Sequence, residues 1–257
     1  SKENMGKVKI KRKSTLIDMT AMSDVTVLLL TFFMLTSTFL QKEPVTVITP
    51  SSVSEIKVPT SNVAQILVAP QGNVFMSLLG DADPDNAEEW GSEALRREVL
   101  RTAAADYERK TGKKLGITPL DLDKFAKNAS FGVPLEKMHE FLSLETTKQD
   151  EFLGQTADKP VIMGNLKPRD VGIPFKDIVY TDENGNSIAT NEFQIWMRAI
   201  YNSSNTNIKD AIQKGEGIAV KSDRGTKYET IHQVLDNLQT IKMNKFSVMT
   251  ALKTEAD

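Results

Sequence analysis

The sequence predicts an α+β protein: a single N-terminal transmembrane helix, then a small exported α+β domain that carries a mainly helical insertion. Three observations lead there. Residues 25–40 (VTVLLLTFFMLTSTFL) form a long uncharged, largely apolar stretch. Beyond residue 62, β-branched runs and apolar helical periodicities alternate between Pro and Gly turns. Residues 81–185 depart from both flanks in charge and pattern, with 15 basic and 21 acidic groups.

The span is argued from length. From Met19 to Leu40 there is a single charged residue, Asp24. A helix over that stretch would rise about 33 Å at roughly 1.5 Å per residue, enough for a hydrocarbon core of about 30 Å. A cleavable signal peptide has a shorter apolar region, about 7 to 15 residues, and ends in a small-x-small site. No Ala-x-Ala follows Leu40. The preceding flank holds Lys2, Lys7, Lys9, Lys11, Arg12 and Lys13 against Glu3 and Asp18, whereas Lys42 and Glu43 cancel on the far side. The positive-inside bias then places the amino terminus in the cytoplasm and the remainder outside it. The expected organisation is a basic tail (1–18), a transmembrane helix (19–41), an extended linker (42–62), an α+β domain (63–80 and 186–257) and a helical insertion (81–185).

Composition narrows the function. The net charge is −2, and the exported part is neutral to acidic, which gives nucleic-acid binding little support. The chain has no cysteine and so neither a disulfide framework nor thiolate chemistry. His139 and His232 stand far apart in sequence, Thr111-Gly112-Lys113-Lys114 lacks the rest of a phosphate loop, and no G-x-S-x-G occurs. No cofactor, no metal site and no enzymatic activity are expected.

The linker residues Gln41 to Asn62 mix β-branched residues with Pro44, Pro50 and Pro59, a composition that resists helix and suits an extended tether with a short edge strand at 55–58. Residues 63–79 predict a hairpin turning at Pro70-Gln71-Gly72-Asn73. In the insertion, Leu95, Val99, Ala103 and Tyr107 recur every four positions, predicting a helix from about Ala87 to Arg109 that Gly112 ends. Shorter helices are expected over 119–127 and 134–148, then a loop-rich passage around Pro160, Pro168 and Pro174. A turn at 182–185 leads to helices over 191–201 and 208–214. The last unit is a strand at 217–220, a turn, a helix and a strand at 246–252. Thr226 and Glu229 predict a capping box for that helix, whose apolar face is Tyr228, Ile231, Val234, Leu235 and Leu238. Strand, helix, strand implies two neighbouring strands with the helix on one face.

Within the span, Thr20, Asp24, Thr31 and Thr38 are separated by 4, 7 and 7 residues and share one helix face. A polar stripe faces another helix or a wet path more comfortably than lipid, although each threonine can instead bond back to its own helix. An ionised Asp near the bilayer centre would cost at least about 2.5–3.5 kcal/mol, so protonation is its cheaper state and Asp24 is the candidate proton-transfer residue.

The run Ile17-Asp18-Met19-Thr20-Ala21-Met22-Ser23-Asp24-Val25, followed by Leu28-Leu29-Leu30-Thr31-Phe32-Phe33-Met34, resembles the ExbD/TolR family of biopolymer transport proteins, with its Thr-Pro-Met-x-Asp-Val motif entering a Leu- and Phe-rich span. Ala21 stands where the family usually has proline. Gly217 to Val220, Ser222-Asp223 and Val234-Leu235-Asp236 resemble the family's ending, with Asn244 where glycine is common. The resemblance covers residues 1–80 and about 186–257. It implies an inner-membrane protein with a periplasmic C-terminal domain, two copies of whose span sit inside a ring of ExbB/TolQ-like channel subunits. It also implies that Asp24 responds to protons and that the periplasmic domain engages a TonB-like partner to energise outer-membrane transport. A TolR-like role in envelope maintenance shares this membrane chemistry. A static anchor that binds cell wall or a partner complex does not need Asp24 at all.

Overall fold

The computed structural model describes residues 19–36, 61–81, 91–156, 158–223 and 225–250. The chain divides into two compact units, residues 1–40 and 41–257.

The first unit holds helix α1 (Met19–Thr36). At 18 residues it is about 27 Å long, short of a hydrocarbon core of about 30 Å. Among the described residues no helix is long and apolar enough to cross a membrane. The expected span drew its remaining length from residues 37–41, which lie outside the described residues, as do the basic tail (1–18), most of the linker and its expected strand at 55–58.

The second unit is α+β. Strands β1 (Val63–Val68) and β2 (Val74–Leu79) form the expected hairpin, Val63 opposite Leu79 and Val68 opposite Val74. Its turn closes with Gly72 N–H donating to Ala69 O at 2.9 Å, and Gly72 takes φ 91°, a dihedral that glycine adopts without steric cost. Helix α2 (Ser92–Thr111) buries Leu95, Val99, Ala103 and Tyr107 and ends at Gly112. Its described start, capped by Gly91, is later than the expected Ala87; residues 82–90 lie outside the described residues.

Helix α3 (Pro119–Lys127) opens on a capping box between Thr118 and Asp121, and β3 (Ser130–Phe131) follows. The helix expected over 134–148 is two, α4 (Leu135–Ser143) and α5 (Thr146–Leu153). Side chains take the carbonyls at the break: Lys124 Nζ donates to Leu142 O and Gln149 Nε2 to Leu144 O, both at 2.9 Å. The bend lets Phe141 and Phe152 pack together with ring centroids 6.3 Å apart.

The turn at 182–185 is flanked by strands that the sequence did not reveal, β4 (Ile178–Thr181) and β5 (Ser187–Thr190). Helices α6 (Glu192–Tyr201) and α7 (Thr206–Lys214) are capped by Asn191 and Asn205. The final unit is β6 (Ile218–Ser222), α8 (Tyr228–Thr240) and β7 (Ser247–Thr250), with β6 and β7 parallel as expected. The capping box of Thr226 and Glu229 does not form, because α8 is capped one residue later, at Lys227. Thr226 Oγ1 donates instead to Val68 O at 3.2 Å, tying this turn to the end of β1. Of the expected apolar face, Val234 and Leu238 are buried, Ile231 and Leu235 half-buried, and Tyr228 is exposed.

The sheet order is β3-β2-β1-β6-β7, antiparallel on the β2 side of β1 and parallel on the β6 side. Consecutive residues of β1 and β2 are buried, so both faces of the sheet are covered. Segments from the block 81–185 join this core directly. Phe125 of α3 and Phe131 of β3 pack on Trp196 of α6, with centroids at 5.8 and 4.6 Å. Arg96 of α2 is buried, its Nε and Nη2 donating to Leu78 O at 3.0 and 2.8 Å and its Nη1 to Ala126 O at 3.0 Å. Burial lowers its pKa, opposed by the charge of Glu93. The guanidinium thus joins β2 to the C-terminal end of α3, where carbonyl dipoles favour a cation.

Gly217 marks the entry to β6. A Cβ there would collide with the backbone nitrogen of Ile212 and come within 2.8 Å of the Ala211 carbonyl carbon. Gly217→Ala is predicted to destabilise the fold by about 1–3 kcal/mol. Urea unfolding of the full chain in neutral detergent checks this; an unchanged midpoint would contradict the packing.

Candidate functional site

Asp24 lies in the second turn of α1, the one charged residue of that helix. With about 100° per residue, Thr20, Asp24 and Thr31 fall within a sector of roughly 40°. Thr31 Oγ1 donates to Val27 O at 2.8 Å, so its hydroxyl is satisfied by its own helix. Thr26, which the sequence reading passed over, does the same to Met22 O at 2.8 Å. Thr38 lies outside the described residues. The apolar side chains of α1 are exposed along its length, from Met22 at 54% to Leu35 at 81%. A helix with uncovered apolar surface on every side needs an apolar surround from lipid or from other helices.

A second carboxylate site lies within the folded domain. Glu192, the first residue of α6, is 5% exposed, and its Oε2 accepts the Leu135 N–H at the start of α4 at 2.9 Å. Two helix N-termini thus meet at one carboxyl group. It lines a cavity of about 320 Å³ together with Tyr107, Lys113, Glu136, Lys176 and Asp177. Tyr107 Oη donates to Glu136 at 2.8 Å and Lys113 Nζ to the same oxygen at 2.5 Å. The hydrogen bond from Lys113, then that from Tyr107, hold Glu136 below the usual carboxylate range. Burial, and next the hydrogen bond to Glu136, push Tyr107 up. Burial raises Glu192 to about 7, opposed by the Leu135 N–H and reinforced by Glu136. In sequence Glu192 looks like any first-turn acid after an Asn cap; the residues around it, Tyr107, Leu135 and Glu136 among them, lie far from it along the chain.

The histidines are not isolated. His139 Nδ1 lies 2.8 Å from Asp121 Oδ2. Burial pushes Asp121 up, but the bonds from the Thr118 N–H, His139 and the Thr118 hydroxyl outweigh it and hold its carboxyl below the usual range. His232 is half-exposed on α8, with Nε2 2.6 Å from Tyr228 Oη. Among the described residues no group of three or more His, Cys, Asp or Glu is arranged to hold a metal ion.

The described residues thus hold one apolar helix bearing a single carboxylate and, after it in the chain, an α+β unit. The family model for the biopolymer transport protein ExbD/TolR matches residues 11–151, and the chain belongs to the ExbD/TolR family. The match takes in α1, β1 and β2 and runs on through α2, α3 and α4 into α5, whereas the resemblance read in the C-terminal residues 186–257 lies outside it. No curated protein and no solved structure matches the chain.

The Glu192 site predicts a pH dependence. A carboxyl whose folded-state pKa is raised contributes stability that is fully present below about 4.5 and is lost as pH rises through about 7. Glu192→Gln is therefore predicted to raise stability at pH 8 by about 1–3 kcal/mol relative to its effect at pH 4.5. Denaturant unfolding of the full chain across that range checks it; an effect independent of pH would contradict it.

Proposed function

We propose that this chain is a proton-motive-force-driven motor subunit of an inner-membrane ExbB–ExbD type complex that energises TonB-dependent transport at the outer membrane. The observation that carries it is the family match over the segment containing Asp24, the one charged residue of an otherwise apolar helix. In this reading α1 continues into residues 37–41 to complete a single span, with the amino terminus cytoplasmic and the second unit periplasmic. Two copies of the span pack inside a ring of ExbB/TolQ-like subunits, which supply the apolar surround that α1 needs. Asp24 takes up and releases the proton.

The energetics are sufficient. One proton moving through about 100 mV releases about 2.3 kcal/mol, enough to shift the packing of one helix among its neighbours. Neutralising Asp24 removes the cost of a charge at depth, and losing the proton restores it, so the two states favour different helix positions. Motion would pass through residues 42–62 to the N-terminal end of β1. There the chain is secured: Asn62 Nδ2 donates to Asp81 at 2.6 Å, and the Asp81 N–H donates to Asn62 Oδ1 at 3.0 Å. Force would therefore enter the domain at the central strand and its hairpin partner, and the periplasmic unit would hand it to a TonB-like protein.

The test is Asp24→Asn in cells. TonB-dependent uptake is predicted to fall to the level without proton-motive force, while the chain still co-purifies with its channel subunits; Asp24→Glu should retain part of the activity. Uptake at the normal rate in Asp24→Asn would overturn the motor role and favour a static anchor.

A further inference from the structure

We infer that the groove between α2 and α6 is a binding site for a phosphate-bearing small ligand. The two helices pack against each other, and residues of both line a concavity of about 570 Å³, within the range of small-molecule sites. Ala105, Ile195 and Ala199 are its apolar lining. Four cations, Arg101, Arg109, Lys110 and Arg198, line it against one carboxylate, Asp106. The chain as a whole is −2, so this excess is a local feature of the groove.

The single carboxylate is already engaged. Arg109 Nη2 pairs with Asp106 Oδ1, and Lys110 Nζ pairs with Oδ2 at 2.6 Å. Lys110 also sits 5.0 Å above the Tyr180 ring, which holds its ammonium in place. Arg198 Nη1 donates to Thr190 Oγ1 at 3.0 Å, orienting the guanidinium. Arg101 has no hydrogen-bond or ion-pair partner among the described residues. Thr102 and Asn202 add polar groups able to donate.

Guanidinium groups present paired N–H donors that match the oxygens of phosphate, and a concave, cation-lined surface concentrates anions. Among its lining residues none is aromatic, so the groove offers no ring to anchor a peptide. A compact ligand with several anionic oxygens therefore fits better than an acidic protein segment. The phosphate could come from a soluble phosphomonoester or from a lipid headgroup. This inference stands apart from the membrane proposal, and either can fail alone.

The test is isothermal titration of the full chain in uncharged detergent, at physiological salt, with inorganic pyrophosphate in one arm and glycerophosphoglycerol in the other. Saturable sub-millimolar binding to at least one probe is expected, weakened about tenfold or more in Arg101→Gln and further in Arg101→Gln/Arg198→Gln. Arg101 is exposed, so its substitution leaves the fold intact. Lys127→Gln/Lys148→Gln, away from the groove, should bind as the unsubstituted chain does. Tighter binding of pyrophosphate assigns a soluble ligand, and tighter binding of the diester assigns a lipid headgroup. If neither probe saturates below about 10 mM, or if Arg101→Gln binds unchanged, the inference is wrong.

Discussion

Strand β1 must satisfy both of its edges, and the organisation of the folded unit follows from how it does so. One edge is met locally by β2 through a short turn. The other is met by β6, more than a hundred residues further along, in parallel. The chain between them must run through α2 to α7, adding β3 beside β2 on the way, and return in the right register. Gly217 admits β6 close beside α7, and the main-chain bond from Ala64 N–H to Gly217 O at 2.9 Å starts the pairing. Arg96 secures the outgoing segment to β2 and α3. The result is one continuous core, with Phe125 and Phe131 packed on Trp196 rather than folded into a separate cluster.

What was legible in the sequence was whatever local chemistry decides. The hairpin, the start and end of α3, the end of α2 at Gly112 and the β6-α8-β7 unit all rest on turn residues, caps or short-range periodicity. What was not legible depends on partners distant along the chain. The break between α4 and α5 follows from Lys124 and Gln149 reaching for carbonyls, and the cap of α8 gave way because Thr226 found Val68. No position of β4 is fully buried and β5 is exposed at three of its four, so neither strand shows the buried apolar face that marks a half-buried strand. Arg96 and Glu192 read as ordinary helix-surface charges; only tertiary packing buries them.

Glu192 shows how surroundings decide the charge of a carboxyl group. Removing a carboxylate from water favours its neutral form unless donors or cations compensate. At Glu192 burial is the main cause and the charge of Glu136 adds to it, against the Leu135 N–H and the charge of Lys113. At Asp24 the surround is what the proposal adds: lipid and neighbouring helices around a helix whose apolar side chains are exposed among the described residues. The polar stripe is narrower than its residue types suggest, since Thr31 turns its hydroxyl back to Val27. In the proposed motor, Asp24 is then the group on which proton coupling would rest.

That coupling is most directly measured by infrared difference spectroscopy on the complex with its channel subunits, reconstituted in vesicles with and without an imposed proton gradient. A protonated-carboxyl band that changes with the gradient and disappears in Asp24→Asn is the predicted result. A side chain that stays ionised at every imposed gradient would contradict the account.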